Sequence, residues 1–109
     1  MDSIEKFRNA IQERHPVRFT YNKPGKAHGL RIGNPHAIYE CETKEGVKSI
    51  KVDIAQTGGV TDGRTPLPRL KMFDLIDLII HEIDTDAVFQ VDPDYRSDCE
   101  KYSNPIKKI

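Results

Sequence analysis

The chain has 109 residues, 37% of them apolar and 31% charged, with lysine plus arginine equal to aspartate plus glutamate at 17 each, so its formal net charge is zero. That is the make-up of one ordinary globular domain, and it argues against a protein whose main task is to coat duplex nucleic acid, which needs an excess of cations. No apolar run approaches bilayer-spanning length, and the acidic start Met1-Asp2-Ser3-Ile4-Glu5 lacks the basic-then-apolar layout of a secretory signal, so a cytoplasmic location is the expectation.

Residues 2–14 read as a helix. Asp2 stands where a cap belongs and Glu5 follows at capping-box spacing. Ile4, Phe7 and Ile11 share one face, with Ala10 beside them, and Pro16 ends the pattern. A helix this short needs a surface to dock on. Val17, Phe19 and Tyr21 alternate with Arg18 and Thr20, which predicts a strand over 17–21, and Lys23-Pro24-Gly25-Lys26 predicts a turn. Two further strands are expected over 28–32 and 35–42, with Ile38 and Cys41 inward. Lys44-Glu45-Gly46 reads as a hairpin turn, and 47–57 as the next strand through Ile50, Val52 and Ile54.

Residues 57–68 hold three glycines and two prolines and predict a long loop, opened by Gln56, Thr57, Gly58 and Gly59. The run RLKMFDLIDLIIHEI is ambiguous. Its apolar spacing predicts a helix over 69–83, while Ile76, Ile79, Ile80 and Ile83 also suit strands. A short helical turn is expected over 95–102 and a loose tail at 107–109.

Charge is segregated. Lys6, Arg8, Arg14, Arg18, Lys23, Lys26 and Arg31 make a basic front, and Asp74 to Glu100 an acidic back. Cys41 and Cys99 fit no metal or redox motif, so reduced thiols, no metal and no cofactor are expected.

Taken in order, these features resemble a WYL domain. The resemblance rests on Ala10-Ile11 with Glu13-Arg14, the strand from Pro16 to Tyr21, Gly25, Arg31, Pro35-His36, Gln56-Thr57-Gly58-Gly59, Lys71 to Leu75 with Leu78, and the later Phe89 and Tyr95. The pattern departs from the family where Ile50-Lys51-Val52 replaces Trp-Tyr-Leu, and where Lys71 and Asp77 replace arginines. The resemblance implies a mainly β (α+β) fold: a small SH3/Sm-like β-barrel over 17–92, the helix of 2–14 packed on it, and a C-terminal extension over 93–109, all one domain over 1–109. It replaces the helix at 69–83 by a strand, a short turn and a second strand. It also implies a non-catalytic, ligand-sensing module like the effector domains of bacterial transcription regulators, for an anionic ligand such as a nucleotide or nucleic acid.

The ligand-binding candidates are Arg31, His36, Lys51, Gln56, Thr57 and Lys71. Arginine offers a planar donor fork to phosphate, and histidine a group that titrates near neutrality. Arg31 and His36 are expected to face a groove beside the 57–68 loop, Arg31 in contact with water. A single-stranded nucleic-acid binder, or a dimerisation module without ligand, are the alternatives. Possible partners are an anionic small molecule, a single strand, a partner protein or a second copy, with no membrane. No residue spacing points to catalysis.

Overall fold

A computed structural model describes residues 2–63 and 66–109. The architecture is mainly β. One helix, α1 (Ser3–Glu13), precedes six strands: β1 (Val17–Tyr21), β2 (Leu30–Glu42), β3 (Lys48–Gly59), β4 (Arg69–Asp74), β5 (Leu78–Ile83) and β6 (Pro105–Lys108). The strands form one antiparallel sheet in the order β4-β3-β2-β1-β5, with β6 added to β2.

Helix α1 begins where the capping pattern places it. The Asp2 carboxylate accepts from the Glu5 amide at 2.8 Å. Arg14, at φ 56°, closes the other end in the left-handed conformation. Phe7, Ala10 and Ile11 are buried, and Ile4 packs against their cluster. The opposing residues come from the inner face of the sheet: Val17, Phe19 and Tyr21 of β1, Ile38, Val52, Ile54 and Phe73.

The two strands expected over 28–42 are one strand of thirteen residues, β2, bent by two irregularities. Pro35 pairs with Ile54 and Ala37 with Asp53, so His36 is an extra residue on β2. Ile32 pairs with Gly58 and Gly33 with Gln56, so Thr57 is an extra residue on β3. Each bulge breaks the two-residue alternation locally. Pro35, which cannot donate to a ladder, sits at one of them.

Residues 69–83 form strand, turn and strand, the arrangement that the resemblance implies and not the helix that spacing alone predicts. Pairing of β4 with β3 sets Phe73 opposite Val52 and buries both. A three-residue 3-10 turn, Leu75–Asp77, joins β4 to β5, and the Asn22 amide donates to the Asp77 carbonyl at 2.8 Å. The sheet therefore curls until its two edge strands are covalent neighbours. It does not close, because β4 and β5 are edges that do not pair with each other, so the expected closed barrel is corrected to an open, strongly bent sheet.

The outer face has its own cluster of Ala37, Tyr39, Tyr95 and Tyr102. At its centre Asp53 is fully buried, taking the Tyr39 hydroxyl at 2.8 Å, the Tyr102 hydroxyl at 2.5 Å and the Lys101 ammonium at 2.7 Å. Burial, followed by the charge of Asp53 and the hydrogen bond to it, pushes both tyrosine hydroxyls far above their ordinary range. The tail expected to be loose is instead β6: the Ile109 amide donates to the His36 carbonyl at 3.0 Å, and the Tyr95 hydroxyl donates to the Ile109 carbonyl at 2.9 Å.

Two substitutions test these packings. Phe7→Ala should cost about 3–5 kcal/mol in a denaturant melt, as truncation of a fully buried aromatic does. Tyr102→Phe should cost about 1–3 kcal/mol by leaving a buried carboxylate one donor short. A loss within noise for either would mean that its face of the sheet is loosely packed.

Candidate anion-binding cleft

Arg31 pairs with Phe19 across β1 and with Gly59 across β3, so its side chain joins the buried face of the sheet. It is 0% exposed. Its guanidinium carbon lies 5.6 Å from the Phe73 ring centre and 5.8 Å from that of Tyr21, positions where a ring face attracts a cation. Nη1 donates to Gln56 Oε1 at 3.2 Å, and Nη2 to the Ala27 carbonyl at 2.9 Å and to the Asp62 carboxylate at 3.3 Å. The arginine expected to meet water is therefore enclosed: the chain leaving β3 continues beside the lead-in to β2, where the Val60 amide donates to the Leu30 carbonyl at 3.1 Å, and sets Asp62 against the guanidinium. Gly59 permits that close approach. At φ 86° it takes a conformation that side chains resist, and a Cβ there would collide with the Leu30 carbonyl and the Arg31 Cα.

Gln56 is the second enclosed polar group. Its amide nitrogen donates to the Val60 carbonyl at 2.7 Å and the Gly58 carbonyl at 3.1 Å, and its oxygen receives Arg31 and, at 3.4 Å, Lys71. The residues from Gln56 to Gly59 are thus the end of β3 and not a flexible mouth. Residues 64 and 65 of the expected loop lie outside the described residues.

In front of this pair opens a cleft of about 390 Å³, lined by Lys23, Lys26, Lys51, Arg69 and Lys71, with Tyr21, Met72, Phe73, Asp62 and Asp74. Asp74 is the anchor of one wall. Lys23 and Lys51 both reach its carboxylate, and the Tyr21 hydroxyl accepts from its amide at 3.0 Å. Hydrogen bonds from Lys23 and then Lys51 hold the Asp74 carboxyl down at about 2. Burial, and then the Arg31 charge, lowers Lys71 below the ordinary lysine value. Burial works to raise Asp62, but the Ala27 amide and Arg31 outweigh it and its carboxyl lies below the usual range. Among the described residues, Lys26, Arg69 and Lys71 stand in no ion pair.

Of the six residues singled out in the sequence, Lys51 and Lys71 line the cleft, and Arg31 and Gln56 back it. His36 and Thr57 lie elsewhere, because both are bulge residues. Thr57 is exposed and lines a separate groove with Asn34, Phe89 and Asp92. His36 is fully buried, stacked on Phe89 with ring centres 5.0 Å apart. Its Nδ1 lies 2.8 Å from the Asn34 carbonyl and its Nε2 accepts the Asp92 amide at 2.9 Å, so the ring is neutral with the proton on Nδ1. Alternation did not reveal Lys23, Lys26 and Arg69. The turn between β1 and β2 brings the first two, both part of the basic front, to the open end of the sheet.

Comparison with family models, with curated proteins and with solved structures gives no match. The site is therefore read from its own geometry.

Two outcomes follow. Arg31→Ala should destabilise by on the order of 3 kcal/mol, since it empties a filled site and takes a charged donor from both Gln56 and Asp62; an unchanged denaturant midpoint would show that the enclosure is absent in solution. Burial lowers the His36 value below the ordinary 6.5, against opposition from the Asn34 carbonyl and the Asp92 and Asp53 charges. The unfolded chain then takes up the proton first, so this contribution is complete above 6.5 and is lost as pH falls below it. His36→Gln should flatten the fall in denaturant midpoint across that window, and a curve of unchanged slope would exclude His36 as its source.

Proposed function

We propose that this chain is a non-catalytic binding module that senses a phosphate-bearing ligand of nucleotide size. The observation that carries the reading is the convergence of six cations, Lys23, Lys26, Arg31, Lys51, Arg69 and Lys71, on one cleft that holds two carboxylates. Among the described residues three of those cations have no ionic partner, and a cleft with walls of low dielectric concentrates such charge on an anion. Its volume suits a mononucleotide. The WYL resemblance supports the same reading, as effector domains of that family are ligand sensors in transcription regulation. It also supports taking the bent sheet, with its β4–turn–β5 unit, as an opened relative of the SH3- and Sm-like barrels.

A single-stranded nucleic acid suits the cleft less well. Such binders stack bases on exposed aromatic rings, and here Tyr21 and Phe73 are 4% and 2% exposed. A dimerisation module without ligand gives no reason for cations to be gathered and left unpaired.

Isothermal titration with ATP and with a short oligothymidylate tests the reading. ATP should bind, and Arg69→Glu with Lys71→Glu should weaken it by roughly tenfold or more while moving the melting temperature little, because half-exposed cations contribute little to folding. Binding of the oligothymidylate alone, with a steep salt dependence, would favour the nucleic-acid alternative. No binding of either would leave the cleft without an anionic ligand.

A further inference from the structure

Among the described cations of the cleft Arg31 is the one that water does not reach, and what stands in front of it is a carboxylate. The Arg31 side chain is 0% exposed and that of Asp62 is 34% exposed. The two Asp62 oxygens lie 3.3 and 3.4 Å from the same nitrogen, Nη2. A carboxylate in the two-pronged geometry would bond two nitrogens at shorter range. The adjacent Nε–H is buried and meets no acceptor, which is costly for an enclosed donor. Asp62 also accepts the Ala27 amide at 2.5 Å. Nη2 and the Ala27 amide thus donate to one small anion, and Nε, on the same guanidinium, is a third donor that it leaves unused.

We infer that Asp62 is a built-in competitor: its carboxylate occupies the place that a ligand's phosphate takes at the Arg31 end of the cleft, and the phosphate binds by displacing it. This rests on the reading of the cleft as an anion site. The exchange follows from charge and shape. A carboxylate ligand would replace one monoanion of two oxygens by another and gain nothing. A phosphate dianion brings more charge and a third oxygen, enough to reach the unused Nε–H as well as Nη2 and the Ala27 amide. The displaced carboxylate moves toward water it already partly meets. Lys71, which donates only weakly to Gln56 at 3.4 Å, and Arg69 then neutralise the added charge. Asp62 is on this account the residue that makes the cleft selective for phosphates over carboxylates.

The test uses inorganic pyrophosphate and malonate as probes, titrated calorimetrically into the full chain and its Asp62→Asn variant. Asparagine keeps the shape and an acceptor for the Ala27 amide. Removing the like charge should tighten pyrophosphate by roughly tenfold or more and let malonate bind as well. A variant that binds pyrophosphate where the unaltered chain does not would be the strongest support. Equal or weaker pyrophosphate binding by Asp62→Asn would overturn the inference; if Lys71→Glu still abolished that binding, the cleft reading would survive. Pyrophosphate binding to neither protein would sink both. A second measurement needs no variant at Asp62. The carboxyl carbon of Asp62, followed by NMR at saturating pyrophosphate, should titrate at a higher pH than in the free protein. A titration unmoved by pyrophosphate would show that the carboxylate stays on Arg31.

Discussion

A guanidinium shut away from water has to be met by oxygen, and meeting that need at Arg31 organises one whole end of this molecule. The oxygens come from three places in the chain: the Ala27 carbonyl before β2, the Gln56 amide on β3, and the Asp62 carboxylate beyond β3. To bring Asp62 there the backbone runs on close beside the lead-in to β2, and the tightest approach falls at Gly59, where no side chain fits. The same charge lies near the ring faces of Tyr21 and Phe73, which tie it to the apolar cluster beneath. The charged end and the apolar end of the inner face are therefore one continuous packing unit. Since one enclosed ion is compensated by one partly exposed carboxylate, the arrangement is tightly specified yet only modestly favourable.

The outer face solves a similar problem with opposite sign. Asp53 is buried between two tyrosines and a lysine. Tyr102 and Lys101 come from the C-terminal segment, which gives that segment a reason to fold back over the sheet. His36 fixes the stretch before it, by holding the Asp92 amide. Both faces are thus covered, the inner by α1 and the outer by the chain after β5, and β2 has backbone partners in three other strands.

How much of this could be read from the sequence depended on whether a local pattern survived packing. Helix α1 and strand β1 were legible because cap, alternation and breaker agree at those places. Residues 69–83 were not legible from spacing, since a short apolar run suits either period; pairing with β3 decides it. That His36 and Thr57 lie away from the cleft was not legible for one reason: each is the extra residue of a bulge, and nothing in a two-residue alternation announces a bulge. The burial of Arg31 was hidden, because its partner Asp62 stands 31 residues away. The tail at 107–109 looked loose for want of pattern, and long-range pairing with β2 orders it.

The open sheet has a further consequence, in the crowded life of the chain among its own copies. Strand β4 is an edge whose outward backbone groups have no strand beside them, and a free edge is a template on which another chain can add. Arg69 and Lys71 lie on this strand, and Lys71 is directed toward the inner face opposite Ile54. Charged side chains on an edge strand are one way in which such pairing is discouraged, and Arg69 and Lys71 are charges that this edge carries. Without them Met72, already 57% exposed, would stand on an unguarded edge, and solubility would change.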